Sequence, residues 1–265
     1  RDFIRAVELD PRNTNSSNLL GDTYVLLRQF DDAIAVADRS LAIGVDVPIT
    51  RLRRDFVRFA ATGDVRILRN ALAQAPEKLD VGGGETPVRI LVALIDRDGA
   101  GAARTLAASP RETFQEVDFS FYYPRAWYVA IIARAAGDQE KMESAFHAAR
   151  QIMEHRLTTK PDDPRTLAVL AQIDAGLGQK EQAIAEGRRA VELMPLRRDA
   201  YDGMLVLQGL AQVYTWTGET GQALALIRQL MTIPGYLTPA YLKVDPSWDP
   251  LRSDPHFQEF LKSLK

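Results

Sequence analysis

The chain contains no cysteine, which excludes disulfides, thiolate metal sites and cysteine nucleophiles. Histidine is scarce, with three copies. His147 and His155 would lie roughly 80° apart around one helix, so they do not form the i, i+4 pair of a helical metal site, and His256 stands alone. These are packing or surface histidines, and neither metal nor cofactor is expected. No run approaches the ~18 consecutive apolar residues of a membrane span. Charge of one sign is lacking too: 33 basic against 35 acidic residues leave a net −2, with no bulk field to recruit nucleic acid or an anionic membrane. No Gly-x-Ser-x-Gly elbow is present to seat a serine nucleophile. Gly82-Gly83-Gly84 runs into Glu85-Thr86-Pro87 instead of the Lys-Ser/Thr that a phosphate loop needs, and reads as a flexible connector. Together these absences argue against an enzyme and fit a cytoplasmic protein.

What is present is ordinary globular composition, 46% hydrophobic and 26% charged, arranged as a repeat. The clearest copy carries Leu167, Leu170, Ala171, Asp174, Gly178, Ala183, Ala190 and Pro195. The next carries Leu207, Leu210, Ala211, Tyr214, Gly218, Ala223, Ile227 and Pro234. An earlier one carries Leu20, Gly21, Tyr24, Phe30, Ala33, Ala37 and Ser40. Turns fall at Arg28–Gln29, Gly63–Asp64, Asp98–Gly99, Gly137–Asp138, Gly178–Gln179 and Gly218–Glu219, about 35 to 41 residues apart. Glycine suits a helix that ends in the left-handed conformation. Self-similarity at this period marks a solenoid, in which each unit buries its apolar face against its neighbours.

First helices are expected near 15–28, 50–62, 87–97, 123–136, 164–177 and 203–217. Second helices are expected near 2–9, 31–43, 64–75, 100–108, 138–156, 180–193 and 220–232. Gly21, Ala171 and Ala211, with Ala33, Ala183 and Ala223, mark close helix crossings. Residues 76–87 and 109–122 are irregular connections, Thr86 being a plausible N-cap and Pro87 a first-turn residue. The tail holds three Asp-Pro pairs, at Asp245, Asp249 and Asp254, each read as a cap and helix start. Two short helices, the last near 255–263, are expected to close the array with Trp248, Leu251, Phe257, Phe260 and Leu261. Residues 1–12 read as the second helix of a repeat whose first helix lies upstream. The whole, 1–265, is read as a single repeat domain with repeats 13–48, 49–76, 86–110, 122–161, 162–197 and 198–235 and a cap at 236–265. Phe3, Ile4 and Val7 offer apolar surface through which two copies could pair.

The key positions Gly21/Tyr24/Ala33, Ala171/Gly178/Ala183/Pro195 and Ala211/Tyr214/Gly218/Ala223 resemble the tetratricopeptide repeat. Phe56 stands where that family prefers a small residue. The resemblance implies an all-α fold, a right-handed superhelical solenoid of about six helix pairs with a helical C-terminal cap. Three longer stretches, 188–195, 198–203 and 245–257, resemble the C-terminal repeat region of large bacterial signalling proteins. In these, such repeats follow a kinase, a cyclase or a winged-helix domain, often with a TolB-like segment between. That resemblance implies a non-catalytic scaffolding or sensory arm that binds a protein or peptide, or an upstream domain of its own chain, in a concave groove. Carried over from the family, the groove is lined by first helices, here by Asn15, Asn18, Asp22, Arg53, Trp127, Arg134, Arg165, Gln172, Gln208 and Gln212. The lysines of the carboxylate-clamp version are missing, so recognition of chaperone tails is not implied.

Two further clusters stand out. Phe114, Phe119, Phe121, Tyr122, Tyr123, Trp127 and Tyr128 lie within fifteen residues. They either fill a widened gap between repeats or form the pocket of a small-molecule sensor, the alternative to the scaffold. Arg51, Arg54 and Arg58 share one helical face beside Arg53, read as a solvated face or as a receiver of acidic or phosphorylated segments.

Overall fold

The computed structural model describes residues 2–44, 47–75, 84–115 and 121–264. The fold is all-helical: among the described residues it holds fifteen α-helices, one 3-10 helix and two three-residue strands. The chain groups into two compact units, Arg1–Leu79 with Ile233–Val244, and Asp80–Thr232 with Asp245–Lys265.

The first unit contains α1 (Asp2–Leu9), α2 (Thr14–Leu26), α3 (Phe30–Ala42), α4 (Val47–Thr62), α5 (Val65–Gln74) and α14 (Pro239–Val244). Short turns make α2 with α3, and α4 with α5, helix pairs, since a two- or three-residue link leaves room only for neighbours that double back. Asn13 starts α2 by accepting from the Ser16 amide at 3.0 Å, and Asp64 starts α5 by accepting from Arg66 at 3.0 Å. The core holds Leu20, Val25, Ala33, Val36, Phe59 and Leu68. Gly21 differs from its expected role: a Cβ there would meet nothing within 4 Å, so no close crossing requires the glycine.

The second unit contains α6 (Glu85–Ile95), α7 (Gly99–Ala108), α8 (Arg125–Ala136), α9 (Gln139–Thr159), α10 (Pro164–Gly176), α11 (Lys180–Leu193), α12 (Ala200–Trp216), α13 (Thr220–Thr232), the 3-10 helix Pro246–Leu251 and α15 (Pro255–Ser263). Aspartates open these helices repeatedly. Asp98, Asp138, Asp163, Asp199 and Asp254 each accept a backbone amide two or three residues on, the geometry that satisfies a helix's orphan donors. Ala171, Ala183, Ala211 and Ala223 are fully buried, as close helix packing demands. A Cβ on Gly187 would come within 2.9 Å of Leu210, and one on Gly203 within 2.9 Å of the Met194 carbonyl.

Four differences from the sequence reading have physical causes. The 109–122 connection carries an antiparallel pair, β1 (Thr113–Gln115) and β2 (Tyr122–Pro124), in the register Phe114↔Tyr123. The β-forming Thr113, Phe114, Tyr122 and Tyr123 favour this, and Pro124 ends the ladder and starts α8. Gly84, not Thr86, precedes α6, and Thr86 is buried inside the first turn beside Pro87; Gly82 and Gly83 lie outside the described residues. The third turn's left-handed residue is Arg97, one position before the expected Asp98–Gly99. The tail forms three helical segments instead of two, and Asp249 lies within the 3-10 helix instead of capping one. Trp248, Leu251, Phe257 and Leu261 are buried as expected; Phe260 is half-buried under the Arg228 guanidinium.

Candidate functional site

In the first unit the C-terminal segment Ile233–Val244 lies against the ends of α2 and α4. The Gly235 amide donates to the Leu26 carbonyl at 2.8 Å, and the Thr238 hydroxyl donates to the Ala60 carbonyl at 2.8 Å. Tyr241 packs edge-on to Phe59, ring centres 5.2 Å apart, and 6.1 Å from Phe56. A small residue at position 56 would leave a void beside Tyr241, which accounts for the departure from the repeat pattern. Arg28 donates to the Ile233 and Leu237 carbonyls at 2.7 and 3.3 Å. The backbone of Arg28 is left-handed, φ +56°.

Asn15 is exposed and Asn18 half-buried on α2. Asp22 is bound by Arg53 Nη2 at 2.8 Å to each carboxylate oxygen, a pair that ties α2 to α4. Charge that sequence reading assigned to ligand contact is thus engaged within the protein.

In the second unit the expected groove residues sit on α8, α10 and α12, and most are engaged with other residues of the same unit. Trp127 is buried and stacks on Trp216, centres 5.8 Å apart and planes 13° from parallel; Phe146 meets it edge-on at 5.8 Å. The Arg134 guanidinium lies 4.1 Å over the Trp216 ring. Burial pushes its pKa below the ordinary value while the charge of Asp249 works the other way. Arg165 Nε donates to Asp202 at 2.8 Å, and Asp202 is almost fully buried. Gln172 is also buried, against Gly209: a Cβ on that glycine would lie 2.9 Å from Gln172 Nε2. Gln208 and Gln212 are half-buried, and Gln208 Oε1 is buried without a hydrogen-bond partner among the described residues.

The aromatic cluster is packed as core. Phe121 and Tyr128 are buried, Tyr128 edge-on to the buried Phe114 at 4.9 Å, and Tyr123 lies against Trp127 at 5.3 Å. Tyr122 is 41% exposed under the Arg156 guanidinium. Phe119 lies outside the described residues. The hairpin that carries the cluster is pinned by Arg125, whose guanidinium donates to the carbonyls of Leu106, Ser109 and Arg111 at 2.7 to 3.0 Å.

Sequence reading missed Trp216, Asp202 and Asp249, the partners of the residues it singled out. Asp249 is held by Arg97 at 2.6 Å and by Arg252 at 2.6 Å. No local pattern marks such residues, because each acts on a residue many positions away in the chain. The three Asp-Pro pairs were the nearest signal. No family model and no curated protein matches the chain.

Proposed function

We propose that this chain is a non-catalytic protein-interaction scaffold, a right-handed superhelix of tetratricopeptide-like helix pairs in the cytoplasm. On this reading it is the regulatory or sensory arm of a larger bacterial signalling protein and binds a peptide segment or a domain of its parent chain. The observation that carries the reading is the recurrence of one packing scheme. In three of the helix pairs, Ala33, Ala183 and Ala223 occupy equivalent second-helix positions and are almost wholly buried. Gly63, Gly137, Gly178 and Gly218 make equivalent left-handed turns. A scaffold held constant in this way frees its remaining surface positions for recognition. The packed state of the aromatic cluster gives no support to the sensor alternative.

The test uses the exposed Asn15 and the half-buried Gln212 on first helices, because Trp127→Ala would hollow the core and Arg53→Ala would break the Asp22 pair. Photo-crosslinking from Asn15 and Gln212 in cells of the source identifies the protein within reach, and that protein is then purified and its affinity for the chain measured. Asn15→Arg and Gln212→Arg are expected to weaken binding by about tenfold, roughly 1.4 kcal/mol, with melting unchanged. Failure of every crosslinked protein to rebind would refute the scaffold reading.

A further inference from the structure

An arginine-lined cleft in the first unit has no role in that reading. It is an open cleft of about 490 Å³ between α3, α4 and α5, lined by Arg51, Arg54, Asp55 and Arg58 together with Asn70 and Gln74. Positions 51, 54 and 58 on α4 fall on one face at helical spacing. The buried carboxylate of Asp55 lies beside them, and its Oδ1 accepts from Arg54 Nε at 3.1 Å and from Arg58 Nη1 at 3.3 Å. Arg54 Nη1 donates to Asp38 at 3.0 Å, and Arg51 Nη1 donates to Gln74 Oε1 at 3.3 Å.

Each guanidinium carries five N–H donors. Within the described residues Arg51 and Arg58 each use one and Arg54 uses two. Most of the donors therefore remain unclaimed, on side chains that Asp55 and Gln74 already orient. Three cations face two carboxylates, a local excess of one positive charge. One of those carboxylates, Asp38, is 47% exposed, whereas Asp55 is 12% exposed. Asp38 can therefore give way to a competing anion while Asp55 continues to orient Arg54 and Arg58. Leu41, Ile67 and Ala71 add apolar lining beside the charges, and the volume exceeds what a bare tetrahedral anion fills.

We propose that this cleft binds a phosphate monoester dianion, with Arg51, Arg54 and Arg58 as the donors to its oxygens and Asp38 as the internal anion it displaces. Planar guanidinium donors suit phosphate oxygens, and three of them line this cleft. The ester's organic part, whether a small molecule or a phosphorylated side chain, would take the apolar lining. The site stands independently of the scaffold reading.

Isothermal titration of the full chain with inorganic phosphate and with phenyl phosphate tests this, against sodium chloride at matched ionic strength. Binding is expected to strengthen as pH rises from 5.5 to 7.5, because the second phosphate ionisation lies near ~6. Arg51→Gln and Arg58→Gln are each expected to weaken binding on the order of tenfold without lowering the melting temperature. Asp38→Asn is expected to strengthen it severalfold, a gain that a merely structural role for the cluster would not produce. Tighter phenyl phosphate than inorganic phosphate supports the ester, and a phosphoserine peptide binding more tightly still places the source in a phosphorylated protein segment. Equal affinity for both phosphates, no binding beyond the chloride control, or indifference to all three substitutions overturns the proposal.

Discussion

At the scale of single residues, an acidic pair of the buried Asp174 and the half-buried Glu186 gives the protein a pH-dependent stability. Glu186 on α11 sits beside Asp174 on α10, and burial, reinforced by the Asp174 charge, raises its pKa to about 7. Arg150 from α9 donates to Asp174 at 2.8 Å and to Glu154 at 2.6 Å, and Gln182 donates to Glu186 at 3.1 Å. The folded state therefore keeps a proton that the unfolded chain releases near 4.5. Stability is present below that pH and is lost as pH rises toward 7. Melting measured from pH 4.5 to 8 is expected to show this decline, and Glu186→Gln to flatten it. Glycines offer a sharper contrast. Gly21→Ala adds a Cβ in open space within a helix and is expected to stabilise by about 0.5–1 kcal/mol. Gly178→Ala, at φ +75°, is expected to cost about 1 kcal/mol through backbone strain alone. Gly203→Ala, facing backbone, is expected to cost more than either, and chemical denaturation ranks the three.

At the scale of elements, the boundaries that were legible in the sequence are those set by local chemistry. The aspartate caps, the glycine turns and the apolar helical period fix fourteen of the helix positions to within a few residues, because each signal lies inside the element it defines. The strand pair was not legible: its hydrogen bonds join segments separated by a connection, and aromatic side chains that suit a strand suit a buried helix equally. The departure of Asp249 from its Asp-Pro neighbours has the same origin, since its position answers to Arg97, 152 residues away. Trp248 anchors this last region with no exposed surface. Trp248→Ala is expected to destabilise by about 3–5 kcal/mol. Trp248→Phe is expected to cost less, because it keeps most of the volume and removes an indole N–H that has no partner among the described residues. Arg97→Ala, by removing one of the two arginines that hold Asp249, is expected to speed amide hydrogen exchange across the 3-10 helix while leaving α10 and α11 unchanged.

At the scale of the whole molecule, the all-helical class was readable because the repeat states it many times over. The candidate site was readable only as a set of helix faces. Asp22, Arg53, Trp127 and Arg165 do lie on first helices, yet they are paired or packed with partners that no spacing rule reveals. The return of Ile233–Val244 to the first unit lay beyond sequence reading altogether, because nothing local to that segment names α2 or α4 as its destination. A repeat array can ordinarily fold unit by unit as it is made, since each repeat contacts only its neighbours. Here Thr238 meets Ala60 across 178 positions of chain. During synthesis the Leu26 and Ala60 carbonyls must therefore wait for Gly235 and Thr238 before they gain these hydrogen-bond donors. At ~5–20 residues per second that interval is roughly ten to forty seconds, during which the helices of the first unit exist without the segment that completes them.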